Sequence, residues 1–416
     1  MAIATDEAIV ADAVERLLED HPPGRTDRLE FLRAQYAAGL AWVHNPPGYG
    51  GLGASIDLQA AVDDRLRDAG APASGRAINP IGAGQCAATV LAYGSEQQKQ
   101  HYLPRLFTAE SQWCQLFSEP GSGSDLASLA TRAVRDGDEW VVDGQKVWTS
   151  GAQDARYALL LARTDPEAEK HAGLTAFAID MRAPGVEVRP LRQMSGGADF
   201  NEVFLSGVRI PDAERLGEVG AGWAVSHHTL VQERYNMPRI PNRGEGQVAN
   251  LVRAWQARTD KTSDVAVALK DVLMQCWVDA EVLRLLQARA GILRATGGSG
   301  PEGSLGKLAV SVVGRRLAEF APSLLGPDAM LIDGYDHVGS GMRRDQPRVG
   351  EFAIQRSFVG SPGMSIAGGT DQIQRNIIGD RVLGLPREPN VDKGVPWSQI
   401  QRNEPRKGSA GRRPPL

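Results

Sequence analysis

The hydrophobic period of this sequence changes twice, and the change limits the folds that the chain can adopt. Up to about residue 109, and again beyond about residue 220, apolar residues recur at the spacing of amphipathic helices. Between them, from Trp113 to about Pro211, short apolar runs of strand length alternate with turn residues. We therefore predict an α+β fold with an N-terminal helical domain at residues 1–112, a middle β domain at 113–218 and a helical bundle at 219–394.

Several single elements can be predicted within these segments. The strand-like stretch WVVDGQKVW is predicted to be a hairpin that turns at Asp143-Gly144, and the short runs after it suggest a barrel-like or sandwich domain. From Asp264 to Arg294 the sequence has its longest helical period. The apolar residues predicted to share one broad face of that helix are Val265, Leu269, Val272, Leu273, Cys276, Leu283 and Leu286. Residues 395–416 are rich in Pro, Gly, Arg and Lys, and we predict a disordered tail there.

Composition excludes several classes of function. With 42% hydrophobic residues among 416, the chain can bury a large core. It contains no apolar run long enough to cross a membrane, and its acidic, amphipathic start is unlike a secretion signal, so we expect a cytoplasmic protein. The net charge of −4, with mixed signs, predicts neither nucleic-acid nor membrane binding. Cys86, Cys114 and Cys276 are far apart in sequence, which predicts buried thiols and no metal site.

Three local motifs carry the chemical information. In WCQLFSEPGSGSDLASLATRA a strand enters a Gly/Ser loop whose backbone N–H groups could face an anion, although such a loop alone is more typical of a plain turn. In DGQKVWTS, Trp148 stands beside two hydroxyl residues at a strand end, and a core position for the indole would explain it equally well. The third motif is GGTDQIQRNIIGDRVLGLP, near the C-terminus.

Together these motifs resemble the acyl-CoA dehydrogenase family, which has an EPGxGSD loop, then a GxKxWxT-like strand, and a similar terminal signature. The resemblance covers roughly residues 5–390 in order. It implies a middle β-barrel-like domain, a C-terminal four-helix bundle and FAD in the cleft among the domains. It also implies oxidation of an acyl-CoA thioester to the trans-2-enoyl-CoA, electron-transfer flavoprotein as acceptor, and a homodimer or homotetramer.

Carried over position by position, the resemblance implies a cofactor site. Phe117 and Ser118 would contact the flavin ring, and Ser124 would lie near the pyrophosphate and the thioester. Trp148 would flank the isoalloxazine, while Ser150 would hydrogen-bond the N5 edge.

In the C-terminal signature, Thr370 and Gln372 correspond to positions that reach the cofactor from the bundle. For Thr370, ordinary helix capping is the alternative explanation.

The proton-abstracting base is not where most of the family carries it. Much of the family has glutamate where this sequence has Gly368, so the position can supply only a backbone N–H to the thioester oxygen. Isovaleryl-CoA and long-chain acyl-CoA dehydrogenases carry the base on the first long helix of the bundle, where this sequence has Glu233. A solvated carboxylate paired with a nearby arginine is the alternative for Glu233, and Asp371 is the reserve base. The expected substrate contacts are Ser124, Arg234 and Gly369.

Other features depart from the family pattern. Arg258 lacks the Phe-Gly pair that follows the family's cross-subunit arginine, SLLGPDAML replaces a glutamine and double glycine, and Pro238 and Pro241 follow Glu233 closely. Such divergence resembles actinobacterial relatives that act on sterol side chains or branched acyl groups, some as complexes of two unlike chains. An acyl-CoA oxidase and a catalytically silent or FAD-scaffolding subunit of a heteromer therefore remain alternatives. The pair His227-His228 is assigned no chemistry.

Overall fold

A computed structural model describes residues 2–235, 242–295, 302–331, 353–389 and 391–400. These ranges contain twelve α-helices: α1 (Ala2–Asp20), α2 (Arg28–Ala37), α3 (Gln59–Asp68), α4 (Gly75–Ile78), α5 (Ala87–Tyr93), α6 (Glu96–Thr108), α7 (Gly222–Tyr235), α8 (Gln247–Ala257), α9 (Asp264–Ala295), α10 (Glu302–Leu325), α11 (Ala353–Gly360) and α12 (Asp371–Arg381). They also contain eight strands of one sheet: β1 (Trp113–Leu116), β2 (Arg132–Asp136), β3 (Glu139–Ser150), β4 (Tyr157–Arg163), β5 (Leu174–Asp180), β6 (Val186–Leu191), β7 (Phe200–Pro211) and β8 (Arg215–Leu216). The predicted α+β class is confirmed.

The sheet curves around its own core and carries the N-terminal helices on its outer face. Strand β4 is apolar along its length because both of its faces are covered. Leu159 and Leu161 pack in the core under the N-terminal helices, while Leu160 packs in the core of the sheet. Trp140 of β3 lies 5.5 Å from Phe177 of β5 between ring centroids, although β2 and β4 separate these strands in the sheet order. This contact across the sheet gives the middle domain its barrel-like form.

The predicted hairpin at Asp143-Gly144 is wrong. Strand β3 runs through both residues, and its pairing with β7 shifts register there as a β-bulge. A side chain on Gly144 would place its Cβ 2.4 Å from Thr131 Oγ1, so this glycine serves a close approach of two segments. The turn lies earlier, between β2 and β3, where Gly137 has a left-handed φ of 63°.

Four helices of the C-terminal part share one core, which confirms the predicted bundle. The residues of that core are Val248 and Leu251 of α8, Leu273 and Cys276 of α9, and Leu317, Ala321 and Leu324 of α10, with Ile354 of α11 against them. All three cysteines of the chain are buried free thiols, as predicted. Within the described residues, no helix is both long and apolar enough to span a membrane.

Helix α9 has nearly the predicted limits, but its buried face differs from the predicted one. Leu273 and Cys276 are buried against α8 and α10. Val265 and Val272, which the helical period predicts on the same face, are exposed. Apolar residues occur on nearly all sides of this helix, so periodicity alone cannot select the side that packs.

The end of the described chain folds back onto the middle domain. Residues 395–400 were predicted to begin a disordered tail, but Trp397 is buried, and its indole Nε1–H donates to the Ser128 carbonyl at 3.3 Å. The Arg163 guanidinium lies 4.3 Å from the centre of the Trp397 ring. The prediction is therefore wrong for residues 395–400, and residues 401–416 lie outside the described ranges.

We expect Trp397→Ala to lower the free energy of unfolding by about 3–5 kcal/mol, because it removes a buried indole and its contact with Arg163. Urea unfolding followed by near-UV circular dichroism would measure the change. Val391→Ala is the control, since the Val391 side chain is 85% exposed. Equal midpoints for wild type and Trp397→Ala would contradict the packing described.

Candidate active site

A buried ion pair holds the Gly/Ser loop that follows β1 against β3. The Glu119 carboxylate accepts hydrogen bonds from the backbone N–H groups of Ala130 at 2.7 Å and Thr131 at 2.8 Å, and from Lys146 Nζ at 2.9 Å. Lys146 is fully buried and also donates to the Phe117 carbonyl at 3.0 Å. The two motifs identified in the sequence are thus joined through their charged residues.

Burial alone would raise the pKa of Glu119. The positive charge of Lys146, together with the hydrogen bonds to the carboxylate, outweighs burial and lowers the pKa below its ordinary value of 4.5. Glu119 is therefore ionised at neutral pH, while burial lowers the pKa of Lys146 and the charge of Glu119 opposes that shift. Sequence reasoning did not identify this pair, although its two residues are the glutamate of EPG and the lysine of GQKVW.

The same arrangement exposes Trp148. The Val147 N–H donates to the Ser118 carbonyl at 2.9 Å, which sets the end of β1 beside this part of β3. Trp148 has a left-handed φ of 60°, and the pairing of β3 with β7 shifts register between Lys146 and Thr149. A left-handed backbone is costly for a bulky residue and often marks a functional site. The bulge turns the indole out of the sheet, where it is 61% exposed, so the alternative of a core tryptophan is wrong.

The surroundings of this indole fit the flavin that the sequence predicts. Ser118 and Ser150 are half-buried beside it, and within the described residues neither hydroxyl has a protein partner. An exposed aromatic face flanked by free hydroxyls suits a planar ring with a polar edge. Phe117 is instead buried in the core under the N-terminal helices, and Ser124 is exposed on the loop.

The C-terminal signature forms a tight loop at the start of α12. Gly368 and Gly369 both have left-handed φ values, 66° and 85°. Gln374 Nε2 donates to their carbonyl groups at 3.2 and 3.4 Å, and the Thr370 hydroxyl accepts from the Ile373 N–H at 3.2 Å as the cap of α12. The Gly368 N–H has no hydrogen-bond partner in the described part of the chain, so it is available to an external acceptor. A glutamate at this position would be strained.

Asp371 is held inside the bundle and is a poor reserve base. Its carboxylate lies 3.1 Å from Lys307 Nζ and accepts from Ser311 Oγ at 3.0 Å. Burial would raise the pKa of Asp371, but these partners lower it. Gln372, the next residue, is exposed on α12.

Helix α7 carries the predicted base. Glu233 and Arg234 lie in its last turn, and it ends at Tyr235. The structure describes the backbone of Glu233 and Arg234 but not their side chains. Pro238 and Pro241 lie outside the described residues. The helix packs against β5 and against the π-helix of residues 81–86 in the N-terminal part.

Two further sequence features have internal partners. Arg258 Nη1 donates to the Leu324 carbonyl at 2.8 Å. This hydrogen bond lies within the C-terminal bundle of the same chain. The His228 ring lies 5.6 Å from the Tyr93 ring, edge to face. Among the described residues, no group of three or more His, Cys, Asp or Glu side chains could hold a metal ion.

Comparison with known proteins gives matches to all three parts of the chain. Models of the acyl-CoA dehydrogenase N-terminal, middle and C-terminal domains match residues 5–110, 114–208 and 220–383. The acyl-CoA dehydrogenase IpdE1 of Mycobacterium tuberculosis is 35% identical over 377 residues, which are 88% of this chain and 91% of IpdE1.

Two further comparisons concern a longer relative and a solved structure. The acyl-CoA dehydrogenase FadE34 of M. tuberculosis is 38% identical over 351 residues, or 84% of this chain, and the chain spans only 45% of its length. The solved structure of the Tcur3481-Tcur3483 steroid ACAD has a TM-score of 0.67 at 26% identity, covering 92% of this chain and 98% of that one.

We expect Lys146→Met to destabilise the protein by about 3–5 kcal/mol, because Glu119 would remain buried without its cation. The double variant Glu119→Gln/Lys146→Met should lose much less stability, since it leaves no unpaired charge. Chemical unfolding of both variants and the wild type measures the difference. If Lys146→Met were as stable as the wild type, the ion pair would not hold the loop.

The same pair predicts a pH dependence. The pKa of Glu119 is lower in the folded chain than its ordinary value of 4.5, so its contribution to stability is present above that ordinary value. That contribution is lost as the pH falls through the folded pKa. Unfolding curves between pH 7 and 3 should therefore show a steeper loss for the wild type than for the double variant. Parallel losses would contradict the lowered pKa.

Proposed function

The chain belongs to the acyl-CoA dehydrogenase family, and we propose that it oxidises the α,β bond of an acyl-CoA thioester to the trans-2-enoyl-CoA. Members of this family are FAD-dependent oxidoreductases that act on acyl-CoA. FAD, when bound, supplies the acceptor for the β-hydride. The observation that carries the proposal is the exposed Trp148 indole, turned outward by a strained bulge beside the hydroxyls of Ser118 and Ser150.

The proposed cofactor site combines the middle domain with the bundle. Ser118, Trp148 and Ser150 would hold the ring, and Phe117 would support it from the buried side. The residues proposed for the remainder of FAD are Ser124, Thr370 and Gln372. The Thr370 hydroxyl accepts from the Ile373 N–H, and its own proton remains available for donation.

We assign the base to Glu233. The left-handed backbone of Gly368 disfavours a glutamate there, and Asp371 is tied to Lys307. The α-proton would pass to a carboxylate oxygen of Glu233, while the free Gly368 N–H stabilises the negative charge that develops on the thioester oxygen. The residues proposed to contact the substrate otherwise are Ser124, Arg234 and Gly369.

The proposed subunit interface lies on α9. Five exposed apolar side chains of this helix recur at spacings of seven, four, four and three residues along one side: Val267, Met274, Val278, Val282 and Leu285. Such a continuous apolar stripe is unusual on a free surface. We propose that a family-related subunit covers it, and the steroid ACAD compared above is named for two chains, Tcur3481 and Tcur3483. An electron-transfer flavoprotein is the proposed electron acceptor.

We expect Glu233→Gln to slow flavin reduction at least about 100-fold while FAD stays bound, because the amide cannot accept the α-proton. The measurement is anaerobic mixing with straight, branched and sterol-derived acyl-CoA thioesters while the flavin spectrum is recorded. Glu218→Gln is the control, since the Glu218 carboxylate is exposed. A Glu233→Gln protein that is bleached at the wild-type rate would exclude Glu233 as base.

The same experiment separates the alternatives. Rapid reoxidation on readmission of oxygen would identify an oxidase instead of a dehydrogenase. A wild-type flavoprotein that no thioester bleaches, alone or with a family-related chain, would contradict the proposed activity and support the silent-subunit alternative.

We expect Met274→Glu/Leu285→Glu to dissociate the assembly, because carboxylates are costly to bury in an apolar interface. Light scattering on the purified protein, expressed with its family-related partner where one is required, gives the mass. Val391→Glu introduces the same charge at an exposed position and should leave the mass unchanged. An unaltered mass for the double variant would place the interface elsewhere.

A further inference from the structure

A π-helix in the N-terminal part is clamped to the start of β1. The Asn79 side-chain amide donates to the Trp113 carbonyl at 3.0 Å and accepts from the Trp113 N–H at 3.0 Å. The π-helix, Ile81–Cys86, follows at once. A Cβ on Gly82 would lie 1.9 Å from Asn79 Oδ1, so the close approach needs glycine. π-Helices are rare and frequently mark functional sites.

This clamp brings two glutamine side chains together. Trp113 and Phe117 of the β1 segment pack in the core under the N-terminal helices, so Gln115 between them points to the same side, toward the π-helix. Gln115 Nε2 donates to Gln85 Oε1. Gln85 is only 9% exposed, although its neighbours Ala83 and Cys86 belong to the apolar core. The Gln85–Gln115 pair is therefore a polar patch among apolar residues of the π-helix and β1.

The amide pair keeps unused hydrogen-bonding capacity. In the described part of the chain, Gln85 Nε2 and Gln115 Oε1 have no protein partner, and neither atom is sealed from solvent. If both amides were rotated by half a turn, the pair would still present one donor and one acceptor. The two groups therefore remain unpaired and partly accessible to solvent.

The π-helix that carries Gln85 continues into α5, and this continuous helix runs antiparallel to α7. A Cβ on Gly217 would lie 3.3 Å from Val225 and 3.5 Å from Tyr93, which places the end of α5 level with the first turn of α7. One turn earlier on α5, Thr89 Oγ1 lies 2.8 Å from Thr229 Oγ1, one turn further along α7.

Continuing this register by one turn places Gln85 opposite position 233. Gln85 precedes Thr89 by four residues, and Glu233 follows Thr229 by four. The π-helix and α5 are both in contact with α7. The amide pair thus lies in the wall that faces the position of the proposed base.

We propose that Gln85 and Gln115 recognise a hydroxyl or oxo oxygen carried by the acyl group, close to the carbons that react. This inference rests on the proposed function and names its substrate class. A hydrocarbon chain would cover the free donor and acceptor and leave them without partners, whereas an oxygen substituent would satisfy them. The penalty for one unpaired buried polar group corresponds to a preference of roughly 10–100-fold for the oxygenated thioester.

The test compares acyl-CoA thioesters that are identical except for a hydroxyl placed at successive positions from the γ carbon outward. Calorimetry on the oxidised holoprotein measures the dissociation constant of each, and anaerobic flavin bleaching is recorded separately. We expect one hydroxylated thioester to bind about 10–100-fold more tightly than its hydrocarbon partner. Gln85→Leu and Gln115→Leu should each abolish that difference.

Gln97→Leu is the matched control, because Gln97 is exposed on α6 and its loss should leave the preference intact. Thermal unfolding checks each variant, and Gln115→Leu, at a half-buried position, serves if Gln85→Leu does not fold. Equal affinities for both thioesters in the wild type, or a preference that survives in the folded leucine variant, would overturn the proposal. A selective binding preference without bleaching would support this inference while contradicting the proposed activity.

Discussion

The buried ion pair between Glu119 and Lys146 is the interaction on which the candidate site depends. It compensates the cost of two buried charges with the backbone N–H groups of Ala130 and Thr131 and a carbonyl acceptor for the lysine. The pairing of β3 with β7 shifts register directly after Lys146, and Trp148 lies within this shift in a left-handed conformation. The exposed indole thus lies two residues beyond the lysine of a charge pair in the domain interior.

The bundle contributes a different kind of constraint. The loop before α12 uses two consecutive left-handed glycines, closed by Gln374, and it leaves the Gly368 N–H unpaired within the described chain. This geometry supplies a backbone N–H donor, and the left-handed backbone of Gly368 disfavours a glutamate there. The proposed base lies on another element, α7, which contacts the π-helix, β5 and α10. Glu233 on α7 is thus compatible with the glycine loop.

In the N-terminal part, the amide pair of Gln85 and Gln115 is brought together by contacts between residues that are distant in sequence. Asn79 and Trp113 are 34 positions apart in sequence, and Gln85 and Gln115 are 30 apart. No local sequence pattern indicates that these two amides are in contact. A single glutamine in a helix or in a strand is ordinarily a surface residue. The hydrogen bonds between Asn79 and Trp113 hold the π-helix against β1, and this packing brings the two glutamine side chains into contact.

The sequence by itself determined the order of helices, sheet and bundle and the limits of α9, because hydrophobic period is a local property. It also located the three motifs. Tertiary structure alone decided what particular residues do: Gly144 permits a close approach instead of a turn, Asp371 pairs with Lys307, and Trp397 packs on the middle domain. Each of these outcomes depends on a partner distant in sequence, and local pattern carries no information about such partners.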